Sequence, residues 1–336
     1  MSGLLVLILV VAALAVLLAA ICFLFTLFTA RKVESILPPK GAFVDVPGAR
    51  LHYRESGQGH GPAILMIHGL GGQLAHFTYG VAGRLAGRYR VVAVDRPGCG
   101  WSTRADGAQA DLSTQAAALA ALVDHLGLAR PLVVGHSLGG ALALALALDH
   151  PDKVAGLALL APLSHIQEQV PPVFKGLTIA SPRLRKLVAW TLAIPGSVAG
   201  SAKTLEQVFG PEAVPKDFAT RGGGLLALRP SAFLAASDDL QALPASLPAQ
   251  EARYGTLRIP VGILYGKDDR ILDWRANGQA LAAKVPGARL ELIEGGHMLP
   301  ITNPDACAGF IAAMAQVAGM GLGMGQAAPH AAARAR

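Results

Sequence analysis

The residues of this chain best suited to chemistry are a serine set between glycines and, far downstream, an acid and a histidine. Gly135-His136-Ser137-Leu138-Gly139-Gly140 contains the pattern G-x-S-x-G. A serine hydroxyl is a weak nucleophile at neutral pH. Acyl transfer through Ser137 therefore requires a base, a group that orients the base, and donors for the oxyanion. Pro131-Leu132-Val133-Val134 is apolar and β-branched and predicts a buried strand before the serine. Ala141 to Leu148, an unbroken run of Ala and Leu, predicts a buried helix after it. So tight a turn from strand to helix strains its central residue, and the small Gly135 and Gly139 clear the space around it. Ser137 then stands free of the sheet edge above the positive end of a helix dipole.

The partners come late, each directly after a strand-like segment. Ile259 to Tyr265 is apolar and runs into Gly266-Lys267-Asp268-Asp269-Arg270. Arg289-Leu290-Glu291-Leu292-Ile293 alternates and runs into Glu294-Gly295-Gly296-His297. Residues just past strand ends converge on one edge of a parallel sheet. Of the ten histidines, His297 alone lies late in the chain at such a position, which makes it the expected base. His125 and His150 fall at helix ends, His60, His165 and His330 in irregular stretches, and His136 packs under the turn. For the acid, Gly-x-x-Asp followed by Arg-Ile-Leu favours Asp269 over its neighbour Asp268. Asp238, Asp239 and Asp273 read as solvated carboxylates at helix ends or in loops.

An oxyanion site is expected where the apolar strand Ala63 to Ile67 stops at His68-Gly69-Leu70-Gly71-Gly72. So much glycine leaves backbone N–H groups free to face a developing negative charge. The expected donors are the amides of Leu70 and Leu138. No Lys-Ser/Thr pair follows, which excludes a nucleotide P-loop.

With these motifs in view, the chain resembles the α/β-hydrolase superfamily, in its esterase and lipase branch. His68 to Gly72, Asp95 to Ser102, the turn Gly135 to Gly140, and the late Asp269 and His297 carry the resemblance, which spans about residues 41–317. It implies a catalytic triad of Ser137, Asp269 and His297, with Ser137 forming an acyl-enzyme, and needs no metal or organic cofactor. It does not fix a substrate, because relatives cleave esters, amides, epoxides, carbon–halogen and carbon–carbon bonds. Dehalogenases and epoxide hydrolases of this fold carry aspartate where this chain has Ser137. The resemblance also makes the Asp95 to Ser102 loop structural and leaves Cys99 without a catalytic role.

The elements that must position these residues follow from periodicity. Ala42 to Val46 and Leu51 to Arg54, joined through Pro47-Gly48, predict a hairpin. Strands then alternate with helices near Gln73 to Ala86, Ser113 to Leu126 and Ala141 to Leu148. The expected fold class is α/β, a mainly parallel sheet flanked by helices. Between residues 163 and 257 the alternation fails and short apolar helical patches appear, among them Leu184 to Ile194 and Leu225 to Ala236. A loop that long without structure is foreign to a compact domain, so a helical cap is expected there. Its apolar content favours a hydrophobic acyl group, with a hydrophobic ester or lipid as the small-molecule substrate.

Residues 1–32 are a different kind of object. From Gly3 to Ala30 there is no charge. At about 1.5 Å per residue such a helix exceeds a bilayer core of about 30 Å. No basic residue precedes the run, it is longer than the apolar region of a signal peptide, and Phe28-Thr29-Ala30 is a poor cleavage site. A single-pass transmembrane anchor is expected. Arg31, Lys32 and Lys40 follow the apolar run, and the positive-inside rule then leaves the hydrolase domain, residues 41–317, on the cytoplasmic face. Residues 319–336, rich in Gly and Ala, read as a disordered tail. The net charge of +7 comes from scattered cations without a basic stripe or nucleic-acid motif, so no nucleic acid is expected as a partner. Three scattered cysteines imply no disulfide framework. Oligomeric state leaves no trace in the sequence.

The reading is a serine hydrolase of carboxylic esters. A carbon–carbon bond hydrolase or cofactor-free perhydrolase would use the same triad. An aminopeptidase would need a cluster of acidic cap residues, and Glu168, Glu206, Glu212, Asp217 and Glu251 form none. A non-catalytic binding protein of this fold sits poorly with three filled triad positions.

Overall fold

The computed structural model describes residues 3–57, 61–167 and 169–320. His60, Glu168, His330 and the expected tail (319–336) except its first two residues lie outside these segments; of those two, Met320 is buried and its amide donates to the Ala315 carbonyl, so it packs with the domain. A helix, α1 (Gly3–Ile36), precedes the sheet. The strands are β1 (Ala42–Val46), β2 (Ala49–Ser56), β3 (Ala63–Ile67), β4 (Arg90–Val94), β5 (Thr103–Arg104), β6 (Leu132–His136), β7 (Gly156–Leu160), β8 (Val261–Gly266) and β9 (Arg289–Ile293). They form one sheet in the order β1-β2-β4-β3-β6-β7-β8-β9, with the short β5 paired to β2. The opening hairpin is antiparallel and so is its pairing to β4, while every later neighbour pair is parallel. The chain winds from β3 out to β4, then crosses β3 to reach β6. The connection after β3 runs toward β4 and the one after β6 runs the opposite way toward β7, so a crevice opens above the carboxyl ends of β3 and β6. Those ends carry His68 to Gly72 and Ser137.

The helices cover both faces. α2 (Ala75–Thr78) and α3 (Val81–Leu85) follow β3, α4 (Leu112–His125) follows β5, and α5 (Leu138–Asp149) follows β6. The single helix expected over Gln73 to Ala86 is therefore two short ones. Gly80 separates them, with Pro304 packed so close that a Cβ there would sit 2.9 Å from it. Asp111 caps α4, accepting from the Thr114 amide at 2.9 Å. α5 is buried from Leu138 to Ala147, so its all-round Ala and Leu composition reflects a central core helix. Strand alternation divides the core in two. Leu65, Ile67 and Val133 pack with α4 and α5, whereas Ile64, Met66, Leu132 and Val134 face the other layer.

Between β7 and β8 the chain is helical: α6 (Pro182–Trp190), α7 (Ala193–Phe209) and α8 (Pro230–Glu251). α9 (Ala280–Lys284) buries Leu281 in the first layer, while α10 (Leu299–Thr302) and α11 (Pro304–Val317) complete the second. α1 is long and apolar enough to cross a membrane, a property that a signal sequence shares. Most of it is exposed, but Thr26, Ala30 and Val33 are buried. The partners lie in the region between β7 and β8. Thr26 Oγ1 donates to the Thr191 carbonyl at 3.4 Å, the Phe23 ring stands 5.8 Å from that of Trp190, and Arg229 pairs with Glu34 at 3.6 Å.

Candidate active site

Ser137 sits between β6 and α5 with φ 56° and ψ −123°, a backbone that residues other than glycine rarely adopt. Such a conformation costs about 1–3 kcal/mol and persists only where the surroundings enforce it. Here they do. A Cβ at Gly135 would lie 2.3 Å from the Gly139 carbonyl, and one at Gly139 would lie 2.1 Å from that of Ile67. Two glycines thus let α5 start directly over the strand ends. The Ser137 amide donates to the Leu160 carbonyl at 3.1 Å, and its own carbonyl accepts from Leu163 at 2.9 Å.

The expected base and acid meet. His297 Nδ1 donates to Asp269 Oδ2 at 2.7 Å, with the side chains 5% and 0% exposed. The other carboxylate oxygen accepts the amides of Ile271 and Leu272, at 2.8 and 2.9 Å. This fixes Asp269 in place and leaves Nε2 of His297 with its lone pair free, the tautomer that a base needs. Asp268, one residue earlier, is exposed, and the hydrogen bond of the histidine goes to Asp269. Gly296, next to His297, donates its amide to both oxygens of Glu212, at 3.1 and 3.0 Å. A residue between α7 and α8 thereby pins the histidine loop, a role no local pattern around Glu212 announces.

Leu70 and Leu138 share a cavity of about 200 Å³ with Ser137, lined also by Leu163, Phe174, Leu243 and Leu247. The Leu138 amide opens α5, where the first N–H groups have no intrahelical acceptor. Gly69 lets this loop approach the serine, since a Cβ there would stand 2.8 Å from that of Ser137. A second cavity of about 270 Å³ meets Ser137 from the other side, lined by His297, His136, His76, Gln73, Phe209 and Phe218 among others. No Asp, Glu, Lys or Arg lines either cavity among the described residues.

The loop before this site is held by a buried charge network. Arg96, fully buried, donates from Nε to the His68 carbonyl at 3.0 Å and from an NH2 group to that of Gly69 at 3.1 Å. Its remaining NH group pairs with Asp239 of α8 at 2.7 Å, and Arg104 pairs with the other oxygen at 2.7 Å. Asp239 is 2% exposed, so the reading of it as a solvated carboxylate is overturned. Ala235, Ala236, Asp239, Leu243 and Leu247 form the buried stripe of α8, and a charge on that stripe needs a partner. Asp238 is half-exposed and bonds Arg185 at 2.8 Å.

Four histidines crowd the site. His136 is buried and its Nε2 donates to the His297 carbonyl at 2.9 Å. His68 donates from Nδ1 to the Gly69 carbonyl and accepts the Arg96 amide at Nε2. Burial lowers the pKa of both, helped by Arg96 beside His68 and by His297 beside His136. His76 is lowered to about 4 by burial and by His297. Burial pushes the Cys99 thiol up to about 12, so it is no nucleophile at neutral pH.

Comparison with known proteins agrees with this fold. Residues 62–304 match the family model of the alpha/beta hydrolase fold. An uncharacterised protein of Mycobacterium tuberculosis is 32% identical over 82% of this chain and 81% of its own length. A 2-hydroxy-6-oxononadienedioate/2-hydroxy-6-oxononatrienedioate hydrolase of Burkholderia vietnamiensis is 29% identical over 72% of this chain and 82% of its own. Among solved structures, a membrane phospholipase A described as a bacterial virulence factor superimposes with a TM-score of 0.67 at 25% identity. That match covers 94% of this chain and 98% of the phospholipase.

Proposed function

The chain belongs to the α/β-hydrolase family, and from that premise we propose that it is a membrane-anchored serine hydrolase of carboxylic esters with a hydrophobic acyl group. The observation that carries this reading is the 2.7 Å hydrogen bond from His297 to a fully buried Asp269, with His297 and Ser137 on one cavity wall. Ser137 Oγ attacks the ester carbonyl as His297 Nε2 takes its proton, and Asp269 stabilises the imidazolium that forms. The amides of Leu70 and Leu138 donate to the oxyanion. His297 returns the proton to the departing alcohol, then activates the water that cleaves the acyl-enzyme.

Because His297 protonates the leaving oxygen, the alcohol lies on the histidine side, in the 270 Å³ cavity. The acyl chain then occupies the apolar 200 Å³ cavity beside Leu138. The absence of Lys and Arg from both linings among the described residues favours an uncharged acyl group over a dioate, the substrate that the Burkholderia enzyme's name states. Among the described residues no Asp or Glu lines either cavity, which disfavours a substrate amine.

The anchor reading is supported by the burial of Thr26, Ala30 and Val33, contacts a removed leader would not make. The phospholipase match, over 94% of this chain, agrees. Exposed Arg31 and Lys32 at the membrane end favour a cytoplasmic hydrolase domain. The test of the chemistry is Ser137→Ala. We expect loss of fluorophosphonate labelling and a fall in ester turnover of about 10³-fold or more, with folding kept. Undiminished turnover refutes the reading.

A further inference from the structure

The large apolar side chains that stand exposed outside α1 are not evenly spread. Among the described residues there are seven, and four of them, Leu184, Leu187, Leu192 and Val198, at 48%, 60%, 57% and 41% exposed, lie on α6, α7 or the bend between them, while Phe43, Ile166 and Val317 stand singly elsewhere. From Trp190 to Ala202 the sequence carries no charge, although Gly196 to Ala202 is exposed. An uncharged, exposed helix face of this kind is a surface without its partner.

What covers it is indicated by its neighbours. α1 lies against α6 and α7, so the face continues the apolar surface of the anchor. Twenty residues from Leu4 reach about 30 Å, the thickness of a bilayer core, and bring its boundary to Phe23. Phe23 is where Trp190 stacks, at 5.8 Å between ring centroids. Tryptophan is the side chain that favours the level where hydrocarbon meets headgroups. Arg183 and Lys186 are exposed on α6 beside the leucines, as are Arg31 and Lys32 on α1. Apolar side chains interleaved with cations suit a helix lying in an anionic interface.

We propose that the α6–α7 bend, Leu184 to Ala202, is seated in the leaflet from which α1 emerges, and that the substrate is a membrane lipid admitted sideways from that leaflet. Ser197, exposed on the seated face, also lines the 270 Å³ cavity that leads to His297 and Ser137. That is the chamber assigned above to the alcohol, so the ester would leave its glycerol side toward the membrane. The cleaved acyl chain would lie in the inner, apolar chamber. The inference rests on the ester-hydrolase and anchor readings and adds to them a lipid surface and a direction of approach.

The test uses the full chain in vesicles of phosphatidylcholine and phosphatidylglycerol. A nitrobenzoxadiazole label is placed by Val198→Cys, in a Cys22→Ser background, and quenched with bromine-bearing lipids. Ala129→Cys, exposed near the amino end of the central strand β6, and Val16→Cys, within α1, serve as references. We expect quenching at 198 and 16 but not at 129. Quenching at 16 with none at 198 overturns the seating while leaving the anchor intact, and none at either overturns both. If quenching at 198 is absent and the unlabelled Val198→Cys chain forms a disulfide between two copies on mild oxidation, the face belongs to a second copy, which also overturns the seating. In a second measurement, Leu187→Asp with Leu192→Asp should leave hydrolysis of a short soluble ester unchanged. Hydrolysis of vesicle phospholipid should fall at least about tenfold, as two half-seated leucines are withdrawn from lipid. Equal effects on both substrates, or on neither, overturn the proposal.

Discussion

Asp239→Asn removes a charge that the fold depends on and leaves the side chain's shape almost unchanged. In the native structure Arg96 is wholly buried, and Asp239 is the carboxylate that faces it directly, at 2.7 Å. Arg104 and Gln115 donate to the second oxygen at 2.7 and 3.1 Å. An amide nitrogen in that place cannot accept those bonds, and Arg96 keeps a buried charge without its counter-ion. Breaking a buried pair from one side costs about 3–5 kcal/mol. At about 2–3 °C per kcal/mol for a domain of this size, melting in detergent should fall by roughly 6–15 °C. Activity should fall further than stability explains, because Arg96 also holds the His68 and Gly69 carbonyls that set the Leu70 amide. Arg96→Met with Asp239→Leu should melt well above the single variant, since an apolar pair carries no stranded charge. Its kcat should stay low, because the loop has lost its arginine. A melting shift below about 2 °C for Asp239→Asn would refute the network's structural role, and full kcat in the double variant would refute its hold on the site.

Asp269→Asn should cost far more turnover than Asp268→Asn, because only the former carboxylate bonds His297; kcat for the two variants decides it. Acid should destabilise the protein through its neutral buried histidines. His68, His76 and His136 have folded pKa values below the unfolded value near 6.5, so the unfolded state takes up protons first as pH falls. The stability they lend is whole above about pH 6.5 and is lost toward the folded pKa, which for His76 is about 4. That is on the order of 3 kcal/mol from His76 alone. His76→Phe should therefore melt with a shallower pH dependence between about pH 7 and 4.5, and an unchanged slope would count against the assignment.

How much of this was legible beforehand depended on how local each signal was. The strand-turn-helix around Ser137 is written in adjacent residues. The acid and histidine each follow a recognisable strand, and strand ends converge whatever the long-range detail. Asp239 gave no such signal, because its partner Arg96 lies 143 positions earlier. Its place at helical spacing from Ala235, Ala236, Leu243 and Leu247 was nevertheless in the sequence and marks a buried face. Glu212 and His76 were beyond reach, since their roles come from how separate elements dock. The break at Gly80 came from the close approach of Pro304, which no reading of the helix by itself supplies.

α1 contains neither glycine nor proline between Leu4 and Ile36, and so has none of the usual sites for a sharp kink. Its last turns are fastened to the helical segment between β7 and β8 through Thr191 and Arg229. On the proposal that its other end is immersed in a bilayer, α1 is a rod clamped at one end, and such a rod transmits tilt. In a bilayer thinner than its apolar length the helix must lean, and a lean of the shaft rotates whatever is bolted to its head. On the same proposal, the angle at which the two chambers meet the lipid is set partly by membrane thickness, a mechanical variable that acts through no ligand.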